Sequence, residues 1–161
     1  MHDGVKAQLA DWYTRHADRL FVVADVGAFN LNGSVSDVIP GAVGFDIMPG
    51  PGVDEVLLPG RIPWWHRGRF HGVASISAMQ FCPYRQLFKA ELVDLLEPGG
   101  LVFLSMCRPQ CNDIHNSSGA FGWRDSVRLS ASDLCQLLAP EFTVDRCETV
   151  CNDIIYEGHL A

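Results

Sequence analysis

The chain has 161 residues, 48% of them hydrophobic and 19% charged, with a formal net charge of −7. It is long enough for a single domain, 1–161, with a buried core, and its composition is ordinary for a globular protein. The acidic balance, with no cluster of Lys or Arg, argues against nucleic acid or an anionic membrane as the main partner, and no apolar run approaches the roughly 20 residues that span a bilayer.

Met1-His2-Asp3-Gly4 shows no basic region followed by an apolar one, so a cytoplasmic protein is expected. Asp3 is placed as the cap of a first helix whose Val5, Leu9, Trp12 and His16 recur at helical spacing. Leu20 to Val26 reads as a first strand and Ala42–Ile47 as a second, with only a short helix between them at Gly33–Ile39. A third strand is expected at Val53–Leu58. Pro59 to Arg69 reads as a loop carrying Trp64-Trp65-His66. Phe70–Ile76 has the small and branched residues of a buried parallel strand. Tyr84–Leu96 is predicted helical, with Leu87, Phe88, Leu92, Leu95 and Leu96 inward, and Pro98-Gly99-Gly100 stops it ahead of a fifth strand, Leu101–Met106. After an aperiodic stretch, Cys107–Arg128, a capped helix at Ser132–Ala139 precedes a hairpin-like pair, Phe142–Cys147 and Asn152–Leu160. Strands alternating with helices imply a mainly parallel sheet with helices on both faces.

Two strand ends carry the chemistry. Val22-Val23-Ala24-Asp25-Val26-Gly27 runs into a turn on an acid and a glycine, and 21 positions after Asp25 the run Ala42-Val43-Gly44-Phe45-Asp46 ends on a second acid. Carboxylates finishing adjacent parallel strands suit a nucleoside: the glycine admits close approach, and the second acid accepts ribose hydroxyls. The turn continues Gly27-Ala28-Phe29-Asn30-Leu31-Asn32, without the further glycines of a G-x-G-x-x-G pyrophosphate site, and no Walker-type loop occurs. A cofactor without phosphates remains.

Asp25-Val26-Gly27-Ala28 followed by Asp46 resembles the first two motifs of the class I S-adenosylmethionine-dependent methyltransferases. Asn30-Leu31-Asn32-Gly33-Ser34, Gly50-Pro51-Gly52-Val53-Asp54, Leu96-Glu97-Pro98-Gly99-Gly100 and Trp123-Arg124 before Ser130 resemble further motifs of a bacterial branch of that superfamily, in order. The resemblance implies a Rossmann-like, doubly wound α/β fold: a seven-stranded sheet, mostly parallel, with an antiparallel C-terminal strand. It implies S-adenosylmethionine as cofactor. Asp25, Gly27 and Ala28 would lie along its methionine and sulfonium part, with Phe29 and Asn30 completing the turn. Asp46 would take the ribose hydroxyls, Ile47 would lie against the adenine, and Ser77 and Ala78 would border the cofactor. Phe29 stands where the pattern has glycine, so its ring must point away or narrow the pocket.

Other positions depart further. The acid with which many relatives hold the adenine amine after strand three is absent from Leu58-Pro59-Gly60-Arg61-Ile62, which leaves backbone groups around Gly60 to Ile62 for that task. Gln80-Phe81 replaces a Glu-His pair, removing the obvious base. The remaining catalytic candidates are His115, in the loop after strand five, and His66, both expected at the carboxyl edge of the sheet; His71 is expected at the opposite edge. Trp64, Trp65, Phe121 and Trp123 read either as a rim around an acceptor pocket or as a homodimer contact. The spacings Cys107-x3-Cys111 and Cys147-x3-Cys151 do not suit a zinc site, so reduced thiols and no metal are expected. The reading is a methyltransferase acting on a small-molecule or sugar-like acceptor. Its rivals are a non-catalytic member of the fold serving as a partner subunit and, less favoured by the lost glycines, an NAD- or nucleotide-sugar-dependent enzyme.

Overall fold

The computed structural model describes residues 1–30, 33–58, 60–108 and 129–161. Its elements are α1 (Asp3–Arg15), β1 (Val23–Val26), β2 (Val43–Asp46), β3 (Glu55–Val56), β4 (Phe70–Ile76), α2 (Arg85–Leu95), β5 (Leu96–Cys107), α3 (Ala131–Leu138), β6 (Phe142–Val150) and β7 (Asp153–Leu160). The sheet has the order β3-β2-β1-β4-β5-β7-β6. β1 to β5 run parallel, and β7 inserts antiparallel between β5 and β6. The expected doubly wound architecture is therefore present, with seven strands and an antiparallel C-terminal strand.

Helices cover both faces. Val5, Leu9 and Trp12 of α1 pack with Val23, Ala74, Leu101, Phe103 and Ile155 on one side. Phe88, Leu92 and Leu95 of α2 and Leu134 and Leu138 of α3 pack with Ala24, Val73, Val102 and Leu104 on the other. Alternate residues of one strand thus feed opposite cores, which is why β1, β4 and β5 read as almost continuous apolar runs.

Several expectations need correction. Asp3 opens α1 rather than capping it; His2 is the cap residue and gives no side-chain cap bond, so Asp3 acts through its charge in the first turn. His16 terminates that helix instead of extending its inner face. The short helix expected between β1 and β2 is present as a 3-10 turn, Val35–Asp37, held by reciprocal Ser34–Asp37 capping. β3 shrinks to two residues because Asp54 turns back to accept the Gly44 N–H at 2.7 Å. Pro98-Gly99-Gly100 does not precede β5 but forms an irregularity within it, between the pairs Phe70–Leu96 and Gly72–Leu101. α3 begins one residue early, with Ser130 and Asp133 forming its capping box. On α2 the buried residues are Phe88, Lys89, Glu91, Leu92 and Leu95, while Leu87 is exposed.

Beneath α1 the sheet is tied by a charge cluster. Glu157 of β7, only 3% exposed, accepts from Arg15 at 2.8 Å and from Arg146 at 2.9 Å. Glu157→Ala is expected to lower unfolding free energy by about 1–3 kcal/mol, less than for a fully buried pair because both arginines keep contact with water. Urea unfolding would check this, and a loss below a few tenths of a kcal/mol would rule out a stabilising role.

Candidate functional site

The sheet order reverses between β1 and β4, and at such a reversal an open parallel sheet offers the carboxyl ends of its strands to a ligand. Gly27, at φ +86°, turns the chain out of β1, and its N–H and that of Ala28 donate to the Phe45 carbonyl at 2.8 and 3.0 Å. A Cβ on Gly27 would lie 2.1 Å from Cβ of Ala78, so the turns after β1 and β4 meet with no room for a side chain. Ser77, on the β4 side, adopts φ 56°, an unusual backbone state for a residue with a side chain, and its N–H donates to the Ser105 carbonyl at 2.8 Å.

Asp25 is buried under the 3-10 turn, where it accepts the Val35 N–H; burial, with a smaller contribution from nearby Asp46, pushes its pKa up to about 7. Asp46 is half-buried at the end of β2. Its Oδ2 accepts the Phe29 N–H at 3.1 Å and its Oδ1 the Met48 N–H at 3.2 Å. Each oxygen has one backbone donor, which leaves acceptor capacity on both for a pair of vicinal hydroxyls. Ile47 follows on the open rim.

The loop after β2 folds back over the β1 turn. The Phe29 ring lies on Gly50, where an added Cβ would come within 2.2 Å of a ring carbon. Pro51 accepts the Asn30 N–H at 2.8 Å, while the Asn30 side chain takes the Gly33 N–H at 2.8 Å. The ring that replaces glycine at position 29 is therefore directed onto the Gly50-Pro51-Gly52 loop. That segment knits β1 to β2.

Gly27 and Asp46 line one small cavity, Ala78 lies against Gly27, Asp25 is buried beneath the 3-10 turn, and Phe29 and Asn30 turn to the Gly50-Pro51-Gly52 loop. His66 does not join them. It bonds Glu55 at 2.7 Å and packs between Phe45 and Phe70, with ring centroids 5.0 and 6.1 Å away, so it covers the sheet face rather than standing at its carboxyl edge. The expectation for His66 fails because the loop after β3 lies down over β2 and β4. His71 accepts the Val22 N–H at 3.1 Å, as a structural residue at the start of β4. Gln80 is buried and accepts the Cys107 N–H at 2.8 Å, holding the end of β5 where a base was expected in relatives. Trp64 and Trp65 meet edge to face at 5.8 Å and are exposed. His115, Phe121, Trp123 and Cys111 lie outside the described residues.

Sequence reasoning passed over Glu91. It lines a small cavity of about 30 Å³ together with Gly27 and Asp46. Its signal was an acid at the i+3 position of the inward stripe Phe88-x-x-Glu91-Leu92-x-x-Leu95.

The strand order, its reversal and the antiparallel insertion have one further consequence. The fold is that of the class I S-adenosylmethionine-dependent methyltransferases. The chain is similar to the Burkholderia thailandensis 1,6-didemethyltoxoflavin-N1-methyltransferase, solved with 1,6-didemethyltoxoflavin and S-adenosylhomocysteine, at 16% identity and TM-score 0.73 over 99% of this chain and 80% of that one. It is also similar to the magnesium protoporphyrin IX methyltransferase of Synechocystis PCC 6803, solved with S-adenosylhomocysteine, at 14% identity and TM-score 0.63 over 98% and 84% of the two chains. By sequence, neither a protein-family model nor a curated protein matches. Within this methyltransferase fold, no helix among the described residues is long and apolar enough to cross a membrane.

Proposed function

We propose that this protein is an S-adenosylmethionine-dependent methyltransferase, a single domain that acts on a small-molecule or sugar-like acceptor. The observation that carries the reading is Asp46: a strand-end carboxylate at the switch point with acceptor capacity on both oxygens, beside the Gly27 turn. That carboxylate fits ribose hydroxyls. Asp25, buried close by, would offer negative charge to a cationic ligand above about pH 7, where it ionises. When bound, the cofactor supplies an electrophilic methyl group on a sulfonium.

The residues of the site then have to position rather than activate. The Gly27 and Ser77–Ala78 turns meet between β1 and β4, and the close contact would fix where a bound cofactor and acceptor can lie. A general base is needed only where the acceptor must lose a proton early. The acidic charge of the chain and the small-molecule acceptor of the Burkholderia neighbour support a small acceptor here.

Calorimetric titration with S-adenosylmethionine and S-adenosylhomocysteine, with NAD as control, tests the reading. Micromolar binding of the sulfur nucleosides and none of NAD is the expected result. No binding of either would sink it in favour of a partner subunit. Asp46→Ala is expected to weaken binding by about 1–3 kcal/mol through loss of charge-assisted hydrogen bonds. An unchanged dissociation constant would remove Asp46 from the ribose site.

A further inference from the structure

Cys135 of α3 and Cys147 of β6, both free thiols, meet where that helix packs on the outermost strand of the sheet. Leu134 and Leu138 anchor α3 in the core, which leaves Cys135, one position on from Leu134, half-buried at the margin of the inward face. Cys147, opposite Tyr156 in the β6–β7 ladder, is half-buried against the same core. Its Sγ donates to the Ala131 carbonyl at 3.6 Å, and Ala131 stands one helical turn from Cys135. The two thiols also lie within hydrogen-bonding reach of each other.

No other described thiol shares that situation. Cys151 sits in the turn between β6 and β7, and its Sγ lies 3.8 Å from where a Cβ on Gly4 would stand. Gly4 belongs to α1, on the opposite face of the sheet from α3, so the spacing Cys147-x3-Cys151 does not make a pair. Cys82 and Cys107 are buried. Cys135 and Cys147 combine mutual contact with partial access to solvent. Burial, and then the neighbouring Cys135, hold the Cys147 thiol well above its usual value. It keeps its proton at neutral pH, so Cys135 is the thiol suited to attack first.

We propose that Cys135 and Cys147 form a site of reversible thiol–disulfide exchange with low-molecular-weight disulfides, which fastens α3 to β6. The Cys135 thiolate, its proton released to solvent, attacks one sulfur of the small disulfide and expels the other half as a thiolate. Cys147 then attacks the Cys135 sulfur of the mixed disulfide, and its proton passes to the second departing thiolate. Two protein thiols become one disulfide, and the small disulfide is reduced to two thiols. Contact between the sulfurs gives the second step a high effective concentration, so the mixed disulfide does not accumulate. The bond closes a loop around the 11 residues between the cysteines and restricts the unfolded chain, so the oxidised form is the more stable.

The test treats the intact chain with oxidised glutathione at about pH 8, then alkylates the remaining thiols for mass spectrometry. The wild type is expected to lose two of its six thiols and to retain no glutathione. After trypsin, the fragment 129–146 is expected to be joined to the fragment 147–161. The thermal midpoint is expected to rise by about 5 °C or more, and to return when dithiothreitol is added. Cys151→Ser is expected to keep the link and the shift, which separates Cys147 from the other cysteine in its fragment. Cys147→Ser is expected to lose both and to retain one glutathione on Cys135. Six unchanged thiols in the wild type, a link made through Cys151, glutathione persisting on Cys135 of the wild type, or a linked chain with an unshifted midpoint overturns the proposal.

Discussion

Asp25→Asn is expected to stabilise the protein above pH 7 while weakening its hold on a cationic cofactor. Burial lifts the Asp25 carboxyl from an ordinary value near 3.8 to about 7, so the folded chain holds a proton that the unfolded chain has released. The sign follows from linkage. Below about pH 4 both states are protonated and the ionised form costs nothing. Between about 4 and 7 the unfolded state loses its proton first, and stability falls as pH rises; above 7 the loss is complete. At three pKa units the full effect is about 2–4 kcal/mol. Asparagine has nearly the same shape, keeps an oxygen for the Val35 N–H and has no charge to bury. Denaturant unfolding at pH 5 and pH 8 would measure this. The variant is expected to lose less stability between the two than the wild type does. Equal pH dependence in the two proteins would show that Asp25 does not titrate as described. A loss of S-adenosylmethionine affinity accompanying the gain would be the trade between stability and function that a buried site acid implies.

Gly27→Ala is expected to damage both stability and cofactor binding. The new Cβ would lie 2.1 Å from the Ala78 Cβ, far inside contact distance, and the residue would have to hold φ +86°. Strained backbone of this kind costs about 1–3 kcal/mol, and forced displacement in a packed region costs about as much again. We expect about 2–4 kcal/mol lost from stability and at least a tenfold loss of S-adenosylhomocysteine affinity, since the turns after β1 and β4 must part. The overlap and the dihedral strain can be separated. Ala78→Gly in the Gly27→Ala background removes the clash but not the positive φ, so it is expected to restore about half of the lost stability. No recovery in the double variant would mean that the Gly27–Ala78 approach is not what excludes a side chain.

How far the chain could be read in advance varied with the kind of interaction. β4 was legible to the residue, because a strand buried on both faces must be apolar throughout and its ends are marked by polar residues. The convergence of Asp25, Gly27 and Asp46 was equally legible, since parallel strands in register bring their last residues to one edge. β3 was overestimated because Val53 and Asp54 have strand-like surroundings in sequence, yet Asp54 is held by a backbone donor ten residues earlier. His66 was misplaced for a related reason. Its position in a loop says nothing of which way that loop lies, and the Glu55, Phe45 and Phe70 contacts that fix it come from three separate elements. Leu87 was expected inward but is exposed, and Glu91 is buried instead, because α2 is rotated so that 88, 91, 92 and 95 face the sheet. A stripe of leucines on a short helix permits more than one rotation.

The amino-acid sequence by itself therefore determined the strand-helix alternation, the two acids at the strand ends and the glycine turn between them. Those features depend on local periodicity and on backbone states that only certain residues accept. Tertiary structure alone decided that the Phe29 ring turns onto Gly50, that Ala78 closes against Gly27, that Asp25 retains its proton to about pH 7 and that Glu91 lines a cavity together with Asp46. Each of these depends on what a distant segment places within a few ångströms, and neither burial nor close approach is encoded by neighbours along the chain.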